Sequence, residues 1–433
     1  MSRLPAALRT YRLLAAVAGP LTPVMLSRRV KQGKEHGGRL VERRGLARLK
    51  RPEGRLVWLH AASVGELASV LPLIARIAER GIGVLVTTGT VTSGGLAEQR
   101  LPRGVIHQFV PLDVPRFVRR FLAHWRPDLA LFVESDLWPN MIVEASTRRV
   151  PLILINGRIS EASYRRWTYL LGTIVDLLGR FDLCLAGTQG DAERLSALGA
   201  PRVIAAGNLK LDVPAPPAGA ARLAALQSAI GSRPLVAAAS THPGEESALI
   251  DAHRRLRADF SGLVTLIAPR HPERGAGVAE LAAAAGLKAS LRSRGALPDA
   301  TTDIYVADTM GELGLIYRLS PLVFMGGSLV RHGGQNPIEP AKLGAAILHG
   351  PHVWNFAEIY AALDKSGGAA QVDDGDQLAG RFSAWLHDDT ARERAAKAAR
   401  ETVESLSGAL ERTLAALEPY LMQLQLPRRT DHA

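Results

Sequence analysis

Short apolar runs alternate regularly with longer segments of helical spacing along the whole chain, and this pattern fits few folds. In the first half the apolar runs are 56–60, 84–88, 106–110, 129–134, 152–156, 183–186 and 203–206. After a Pro/Ala stretch, DVPAPPAGA, the alternation resumes with runs at 235–239, 263–268, 304–307, 322–325 and 345–348. Runs that are apolar throughout are typical of strands buried on both faces. Their alternation with helices predicts parallel, doubly wound α/β sheets.

The chain has 433 residues, which exceeds what one hydrophobic core usually supports, so two domains are expected. The predicted parts are a basic and apolar N-terminal segment (1–45), a first Rossmann-like domain (46–212), a linker (213–220), a second Rossmann-like domain with C-terminal helices (221–421) and a tail (422–433). Ligands of doubly wound sheets bind at the carboxyl ends of the strands. We therefore expect the functional site in a central cleft that the two domains face.

The charge balance favours an anionic partner. There are 53 basic against 41 acidic residues, a formal net charge of +12, which suits nucleic acid, an acidic lipid surface or a phosphorylated substrate. Aromatic residues make up only 5% of the chain and none alternate with Lys or Arg as a nucleic-acid platform requires, so we expect no nucleic acid. Cys184 is the only cysteine, which excludes an intramolecular disulfide and is consistent with a reducing compartment.

The N-terminal segment has the composition of a membrane-surface element. Residues 13–26 are mostly apolar but contain Pro20 and Pro23, and arginines including Arg12 and Arg28 flank them. The run is shorter than the roughly 20 apolar residues that span a bilayer, and no small-residue cleavage site follows it. We expect the segment to lie in or dip into the cytoplasmic leaflet. The alternative is a helix packed on the body of the protein.

Residues 56–66, LVWLHAASVGE, predict a strand, a loop and the start of a helix. Ser63 and Glu66 have the S-x-x-E spacing of a capping box. The segment TMGEL (309–313) repeats the pattern of SVGEL in the second half. Two similar helix starts, one in each half of the chain, suggest the two facing edges of a crevice. His60, at the end of the first strand, is expected to be a core histidine and not a ligand.

Other polar side chains follow predicted strands. Glu134 ends an apolar strand, where a carboxylate needs a partner, and Arg158 and Lys210 at the ends of later strands are the candidates. Arg270 and His271 follow a strand of the second half and offer hydrogen-bond donors to a phosphate. The alternative for this pair is a solvated charge cluster.

The segment GGSLVRHGGQNPIEP (326–340) is the most specific of these loops. Its paired glycines let the backbone approach a ligand, and Asn336 precedes Pro337, a favoured first helical residue. The helix start can therefore present free N–H groups to an anion, while Glu339 can accept hydrogen bonds from a sugar diol. The alternative is a plain capped helix with Asn336 as the N-cap and Glu339 complementing the helix dipole.

Several enzyme classes lose their support because their motifs are missing. The sequence has no P-loop, no G-x-G-x-x-G after the first strand, no G-x-S-x-G, no H-E-x-x-H and no D-x-D for a metal-bridged nucleotide sugar. We therefore expect a transfer without metal or cofactor, in which cationic groups and helix dipoles stabilise a leaving phosphate.

The motifs together resemble 3-deoxy-D-manno-octulosonic acid (Kdo) transferases, which are inverting glycosyltransferases with the GT-B fold. The matching segments run in order through both halves: LHAASVGE (59–66), VESDLWPN (133–140), INGRIS (155–160), GNLKLD (207–212), STHPGEE (240–246), APRHPER (268–274), DTMGEL (308–313), MGGSLVRHGGQNPIEP (325–340) and GPHVWNF (350–356). The resemblance covers almost the whole chain.

The resemblance implies transfer of Kdo from CMP-Kdo to the lipid A precursor, lipid IVA, in lipopolysaccharide biosynthesis. It places the enzyme on the cytoplasmic face of a Gram-negative inner membrane, attached through its N-terminal segment. It implies that Glu66 is the general base and that Glu134 and Lys210 stabilise the transition state. The residues that it implies for CMP-Kdo binding are Arg270, His271, Gly311, Glu312, Leu313, Asn336, Pro337, Ile338 and Glu339.

Two alternatives remain at this point. One is another GT-B enzyme that acts on a different nucleotide sugar, and the other is a non-catalytic membrane scaffold, which the presence of Glu66, Arg270 and Glu339 disfavours. A carboxylate that is hydrogen-bonded within a reciprocal helix cap is a poorer base. The resemblance therefore also implies that Glu66 turns away from Ser63. The TMGEL segment is then expected to bind CMP through backbone N–H groups.

Overall fold

The structure is a computed structural model that describes residues 4–426. The chain forms two compact units. The first comprises the residues up to Val213 together with those from Ser407 onward, and the second comprises Pro214–Leu406. Each unit is built on its own sheet of seven parallel strands. The prediction of two doubly wound α/β domains is confirmed.

The sheet of the first unit has the strand order β3-β2-β1-β4-β5-β6-β7. Its strands are β1 (Leu56–His60), β2 (Gly83–Thr88), β3 (Ile106–Phe109), β4 (Leu129–Val133), β5 (Leu152–Gly157), β6 (Leu183–Ala186) and β7 (Val203–Ala205). Its helices up to Val213 are α1 (Ala6–Ala18), α2 (Thr22–Lys31), α3 (Val64–Ala78), α4 (Val91–Arg100), α5 (Pro115–Trp125), α6 (Pro139–Thr147), α7 (Glu161–Thr168), α8 (Leu171–Leu178) and α9 (Gln189–Ala197).

Helices cover both faces of this sheet, because its central strands are buried on both sides. On one face Trp58 and Phe132 pack with the apolar sides of α5, α6 and α8. On the other face Leu59 and Val133 pack with α3. The strand order reverses between β1 and β4, so the loops after these two strands open at the switch point where such sheets bind ligands.

The N-terminal helix α1 packs on the first unit through one of its sides. Leu8 is buried in the core, the Tyr11 hydroxyl donates a hydrogen bond to Asp113 at 2.9 Å, and Arg12 pairs with Glu144 at 2.6 Å. The opposite side of α1 and α2 is exposed and apolar. Within residues 4–426, no helix is both long enough and apolar enough to cross a membrane.

The sheet of the second unit has the order β10-β11-β9-β8-β12-β13-β14. Its helices are α10 (Ala220–Ile230), α11 (Glu245–Leu256), α12 (Gly275–Ala284), α13 (Leu313–Leu319), α14 (Ile338–Lys342), α15 (Ala357–Ser366), α16 (Gly375–His387) and α17 (Asp389–Leu406). Its strands are β8 (Leu235–Thr241), β9 (Val264–Pro269), β10 (Ala289–Leu291), β11 (Ile304–Val306), β12 (Leu322–Met325), β13 (Ala346–His349) and β14 (Ala369–Gln371).

The last helix, α18 (Ala409–Gln425), corrects one predicted boundary. The sequence placed residues up to 421 in the second domain, but α18 belongs to the first unit. Its buried leucines Leu414, Leu417 and Leu421 join the core beside α3. Asp212 holds the chain where it passes from the second unit back into the first. Its carboxylate accepts hydrogen bonds from the backbone N–H groups of Gly408 and Leu410 at 2.6 and 2.8 Å.

The predicted linker also differs from the structure. The stretch 213–220 was expected to pack little, yet Pro214 onward is part of the second unit. Arg318 of α13 donates a hydrogen bond to the Pro216 carbonyl at 2.7 Å. A Cβ on Gly314 would lie 2.4 Å from that same carbonyl oxygen, so glycine is required where α13 meets the stretch.

Candidate active site

Glu66 lies at the carboxyl end of β1, in the first turn of α3. Its Oε2 accepts a hydrogen bond from the Ala62 backbone N–H at 2.8 Å, and its Oε1 accepts one from the Ser63 hydroxyl at 2.8 Å. The Ser63 Oγ in turn accepts from the Glu66 N–H at 3.3 Å. The prediction that Glu66 turns away from the cap is therefore wrong, because the loop supplies two donors that hold its carboxylate at the helix start.

The electrostatic surroundings of Glu66 nevertheless suit a base. Burial raises the pKa of this carboxyl, and the neighbouring carboxylates of Asp136 and Glu134 raise it further, against the lowering effect of the hydrogen bonds from Ser63 and Ala62. A base is most effective when its pKa lies near the working pH. The cap therefore orients Glu66, while the nearby negative charge increases its affinity for a proton.

Glu134 follows β4 and forms an ion pair with Lys210, whose Nζ lies 2.6 Å from Glu134 Oε1. Lys210, one of the two candidate partners that the sequence offered for Glu134, is confirmed as a partner. Asn156, at the end of β5, links the two segments: its Nδ2 donates to Glu134 at 3.5 Å, and its Oδ1 accepts from the Leu209 N–H at 3.0 Å. The loops after β4, β5 and β7, at one edge of the sheet, therefore hold one another in position.

Among the described residues, three of the five non-glycine residues with positive φ lie at strand ends of the two sheets. Glu134, Asn156 and Ser240, which lie at the ends of β4, β5 and β8, have φ angles of 59°, 51° and 58°. Non-glycine residues rarely adopt this left-handed conformation, and where they do the surrounding structure must stabilise it. Such strain is common at functional sites, and here it coincides with the carboxyl edges of both sheets.

His60 is a buried residue at the end of β1, as predicted. Its Nδ1 lies 3.0 Å from the Thr87 hydroxyl, and its Nε2 lies 3.7 Å from Asp136 Oδ2. No hydrogen-bond partner is present for this Nε2 among residues 4–426. In the sequence Asp136 is only one member of the segment VESDLWPN (133–140), and its position near both His60 and Glu66 is visible only in the folded structure.

The influence of Asp136 on Glu66 leads to a prediction about pH. The general-base role that the resemblance implies for Glu66 needs the ionised carboxylate, so the rate should fall as the pH decreases through its pKa, which is raised above that of an ordinary glutamate. Replacing Asp136→Asn removes a negative charge and should move this acidic limb to lower pH. The pH profile of kcat/KM measures the shift, with Glu53→Gln, an exposed change before β1, as the control. An unmoved limb would show that Asp136 does not act on the base.

In the second unit, Arg270 and His271 follow β9 and are exposed. The His271 ring lies 6.3 Å from that of His242, which follows β8 and stacks on His332 with 4.0 Å between ring centroids. Burial, followed by His332, His271 and Arg270, lowers the pKa of His242 to about 4. The cluster therefore places the Arg270 guanidinium near three histidine rings that can donate hydrogen bonds, a setting that suits an anion.

The segment 326–340 reaches this cluster through Gln335, whose Nε2 lies 3.1 Å from His242 Nε2. Asn336, which precedes the N-cap Pro337 of the short helix α14, bonds to the helix start: its Oδ1 accepts from the Ile338 N–H at 3.0 Å and its Nδ2 donates to Glu339 at 3.3 Å. Burial raises the pKa of the Glu339 carboxyl. Gly333 has a φ of 92°, and a Cβ at this position would lie only 2.5 Å from the indole Nε1 of Trp354, so the site has no room for a side chain.

Residues 311–313 behave differently from their counterparts at Glu66. Glu312 pairs with Arg292 at 3.0 Å and with Arg222 at 3.0 Å, and it accepts a short hydrogen bond from the Thr309 hydroxyl. Hydrogen bonding from Arg292 is the main cause that lowers the pKa of Glu312 to about 2. The two similar helix starts therefore carry opposite electrostatics: carboxylates surround Glu66 and guanidinium groups surround Glu312.

Glu245, which the sequence did not single out, fixes the loop after β12. Its buried carboxylate accepts hydrogen bonds from the backbone N–H groups of Gly327, Ser328, Leu329 and His242, at distances from 2.7 to 3.0 Å. These N–H groups are consequently satisfied within the protein. The signal in the sequence was weak, because an acidic pair at the start of a helix is normally read as a response to the helix dipole.

The sequence predicts no metal site. Within the described part of the chain, 4–426, no three His, Cys, Asp or Glu side chains form a group that could hold a metal ion. The expectation of a metal-independent reaction stays a prediction.

Comparisons with known proteins relate this architecture to a family. A family model described as 3-deoxy-D-manno-octulosonic-acid transferase (kdotransferase) matches residues 38–213. The 3-deoxy-D-manno-octulosonic acid transferase of Haemophilus influenzae is 32% identical over 420 residues, which cover 95% of this chain and 98% of the relative. The transferase of the same name from Bordetella pertussis is 35% identical over 384 residues, 87% of this chain and 90% of the relative.

A solved structure supports the fold. The glycosyltransferase of Rickettsia africae aligns with a TM-score of 0.58 at 10% identity, covering 86% of this chain and 99% of its own. The two parallel seven-stranded α/β units are those of the GT-B glycosyltransferases. The chain belongs to the 3-deoxy-D-manno-octulosonic acid (Kdo) transferase family.

Proposed function

We propose that this protein transfers Kdo from CMP-Kdo to the lipid A precursor, lipid IVA, in lipopolysaccharide biosynthesis. The observation that carries the proposal is the carboxylate of Glu66, which two loop donors orient and two neighbouring carboxylates make more basic. Relatives that match nearly the whole chain and carry the name of this activity support the choice of sugar.

In the proposed reaction an acceptor hydroxyl attacks the anomeric carbon of Kdo. Its proton moves to Glu66, the new C–O bond forms, and the electron pair of the broken bond leaves with the phosphate of CMP. A base on the face opposite the leaving group gives inversion. The Lys210–Glu134 pair supplies a fixed cation beside this carboxylate group, and we assign it to stabilisation of the transition state.

The second unit is proposed to bind the donor. Arg270 and His271 are exposed beside His242 and His332, where the Arg270 guanidinium and a ring N–H of His271 can donate hydrogen bonds to the phosphate of CMP-Kdo. Asn336 to Glu339 form the second part of this proposed site. Glu312 contributes differently from the expectation: its carboxylate is committed to Arg292 and Arg222, so it orders the start of α13 and leaves only the backbone of 311–313 for the nucleotide.

The test of the activity is incubation of the purified protein with lipid IVA and CMP-Kdo, with UDP-sugars as competing donors. Mass spectrometry is expected to show Kdo added only from CMP-Kdo. Transfer from a UDP-sugar in its place would support the alternative GT-B activity and overturn the proposal.

We also propose that the exposed side of α1 and α2 attaches the enzyme to the cytoplasmic face of the inner membrane. Leu13, Leu14, Val17, Leu21 and Val24 are between 62% and 75% exposed, and contiguous apolar surface of this kind marks an interaction site. The basic residues in the last turn of α2 are Arg28, Arg29 and Lys31. Such flanking cations are attracted to anionic lipid headgroups.

A surface variant tests this attachment better than deletion does, because Leu8 and Leu26 are buried and deletion of residues 1–30 would expose the core. The double change Leu14→Ser/Val17→Ser should weaken binding to anionic vesicles by roughly tenfold. Vesicle flotation measures the binding, and Leu281→Ser/Leu297→Ser, two exposed leucines of the second unit, is the matched control. Unchanged flotation of the α1 variant would place the attachment elsewhere.

A further inference from the structure

A second apolar surface lies at the turn between α7 and α8. Tyr169 is 87% exposed, and Leu170, Leu171 and Val175 are between 41% and 49% exposed. Three of these residues are consecutive. Single exposed apolar side chains are normal in soluble proteins, but a contiguous group of this size requires an explanation.

The exposure does not result from a loosely packed helix. Ile174, Leu177 and Leu178 on the other side of α8 are completely buried in the core of the first unit. Trp167 of α7 packs partly against the same core. The turn is therefore held on a rigid base, and its apolar side chains project from that base.

Positive charge accompanies this surface. Arg165 and Arg166 precede the turn and are exposed. Arg165 pairs with Glu161 at 3.1 Å on the helix surface, whereas Arg166 donates to the neutral Ala162 carbonyl and Ser163 hydroxyl. Arginine next to exposed tyrosine and leucine is the combination found where a protein meets the headgroups of an anionic bilayer.

The turn lies on the same face of the sheet as α1. Leu8 of α1 and Ile174 of α8 belong to one core cluster, together with Met141 of α6. Helix α6 contacts both α1 and α8. The hydroxyl of Tyr11 bonds to Asp113, which also accepts from the N–H groups at the start of α6, so α1 reaches the carboxyl edge of the sheet.

The turn is directed towards the same edge. Helix α8 leads into β6, whose carboxyl end lies at this edge, so the helix runs antiparallel to the strand and begins near the edge at which the strand ends. Trp138, at the start of α6, is 41% exposed and lies between α1 and the turn in the order of helices on this face.

We propose that the α7–α8 turn is a second point of contact with an anionic lipid bilayer, in addition to the exposed side of α1 and α2. The inference rests on the proposed attachment of the first unit to a membrane. Two separated contacts would fix the orientation of the unit on the bilayer, with the edge that carries Glu66 directed towards the lipid acceptor. A single amphipathic helix leaves that orientation free.

A bilayer fits the surface better than a second copy of the chain. Stable interfaces between proteins bury on the order of 800 Å² on each partner and have a well-packed apolar centre. The turn offers four apolar side chains with two arginines beside them, which is small for such an interface. An amphipathic aromatic side chain such as that of Tyr169 is favoured at the headgroup level.

The single cysteine permits a site-specific test. Cys184 is buried, and burial raises the pKa of its thiol to about 12, so it should react slowly with labelling reagents. A cysteine introduced as Tyr169→Cys in the full-length protein can then carry an environment-sensitive fluorophore. Leu14→Cys reports on α1, and Leu281→Cys, on the exposed surface of α12 in the second unit, is the control.

The labelled proteins are mixed with vesicles of phosphatidylethanolamine and phosphatidylglycerol. Fluorophores at 169 and 14 should both shift to shorter emission wavelength, and the fluorophore at 281 should not. Vesicles of phosphatidylcholine alone should give smaller shifts.

Each other result has a definite meaning. A shift at 14 without one at 169 would overturn the second contact and leave the first. No shift at either position would overturn both membrane proposals, while transfer to detergent-dispersed lipid IVA would still test the activity separately. A shift at 169 that depends on protein concentration without vesicles would identify an interface between copies and also overturn the inference.

Discussion

Replacing Glu66 with glutamine is expected to lower the rate of Kdo transfer by about a thousandfold, within the range typical for loss of a general base. The glutamine side chain keeps the size of the glutamate and can still accept from Ala62 or Ser63, so the helix start should persist. It cannot take the proton of the acceptor hydroxyl. Binding of CMP-Kdo should remain unchanged, because the proposed donor residues belong to the second unit.

Steady-state kinetics and calorimetric titration with CMP separate these two effects. Glu79→Gln is the matched control, since Glu79 is an exposed glutamate at the other end of α3. Both properties should be preserved in the control. Near-normal transfer by the Glu66→Gln variant would remove Glu66 from the mechanism.

The second large effect is expected at Glu245, on stability and not on chemistry. In the wild type, four backbone N–H groups donate to the Glu245 carboxylate. The change Glu245→Gln replaces one of its acceptor oxygens with an amide nitrogen, which is itself a donor, so some of these N–H groups lose their acceptor. Unsatisfied buried donors each cost about 1–3 kcal/mol, so we expect a loss of roughly 3 kcal/mol in the free energy of unfolding. The loop after β12 should also become disordered and donor binding should weaken.

Denaturant unfolding followed by circular dichroism measures this loss, and hydrogen exchange locates it in 326–336. The control is Asp251→Asn, an exposed carboxylate on the same helix, 3.9 Å from Arg254, whose removal should change stability little. An unfolding curve for Glu245→Gln that coincides with that of the wild type would contradict the assigned role.

Much of the fold follows from local apolar patterns. Strand β1 extends over the predicted residues 56–60, and the twelve predicted strands are all present with small shifts at their ends. The two strands without a prediction, β10 and β14, have three residues each and lie at the edges of the second sheet. Edge strands have one neighbour and need little continuous apolar sequence, so the pattern contains almost no signal for them.

Long-range packing explains the errors. The leucines of α18 have helical spacing, which predicts that one side of the helix is buried. The spacing does not predict which of the two cores buries that side, and in the structure it is the core of the first unit. Likewise the spacing of Ser63 and Glu66 predicted the cap. The competing effect of Asp136 and Glu134 on the same carboxyl depended on loops about 70 residues away in the sequence.

The histidine stack is another contact that the sequence could not reveal. His242 and His332 are 90 residues apart in the chain, in the segments STHPGEE (240–246) and GGSLVRHGGQNPIEP (326–340), and neither segment indicates that the two rings meet. Their rings stack because β8 and β12 are neighbours in the sheet. Arg270 and His271, which were predicted to bind CMP-Kdo, likewise lie near His242 only because the sheet brings the loops after β8 and β9 together.

In the proposed mechanism, a base-assisted single displacement attaches Kdo to the lipid acceptor. The most direct measurement is nuclear magnetic resonance of the product formed from CMP-Kdo and lipid IVA, read for the configuration of the new glycosidic bond. We predict one CMP released for each Kdo transferred, and a configuration inverted relative to that of the donor. A product with retained configuration would require a two-step mechanism and contradict the role of Glu66, and absence of any transfer would contradict the proposed function.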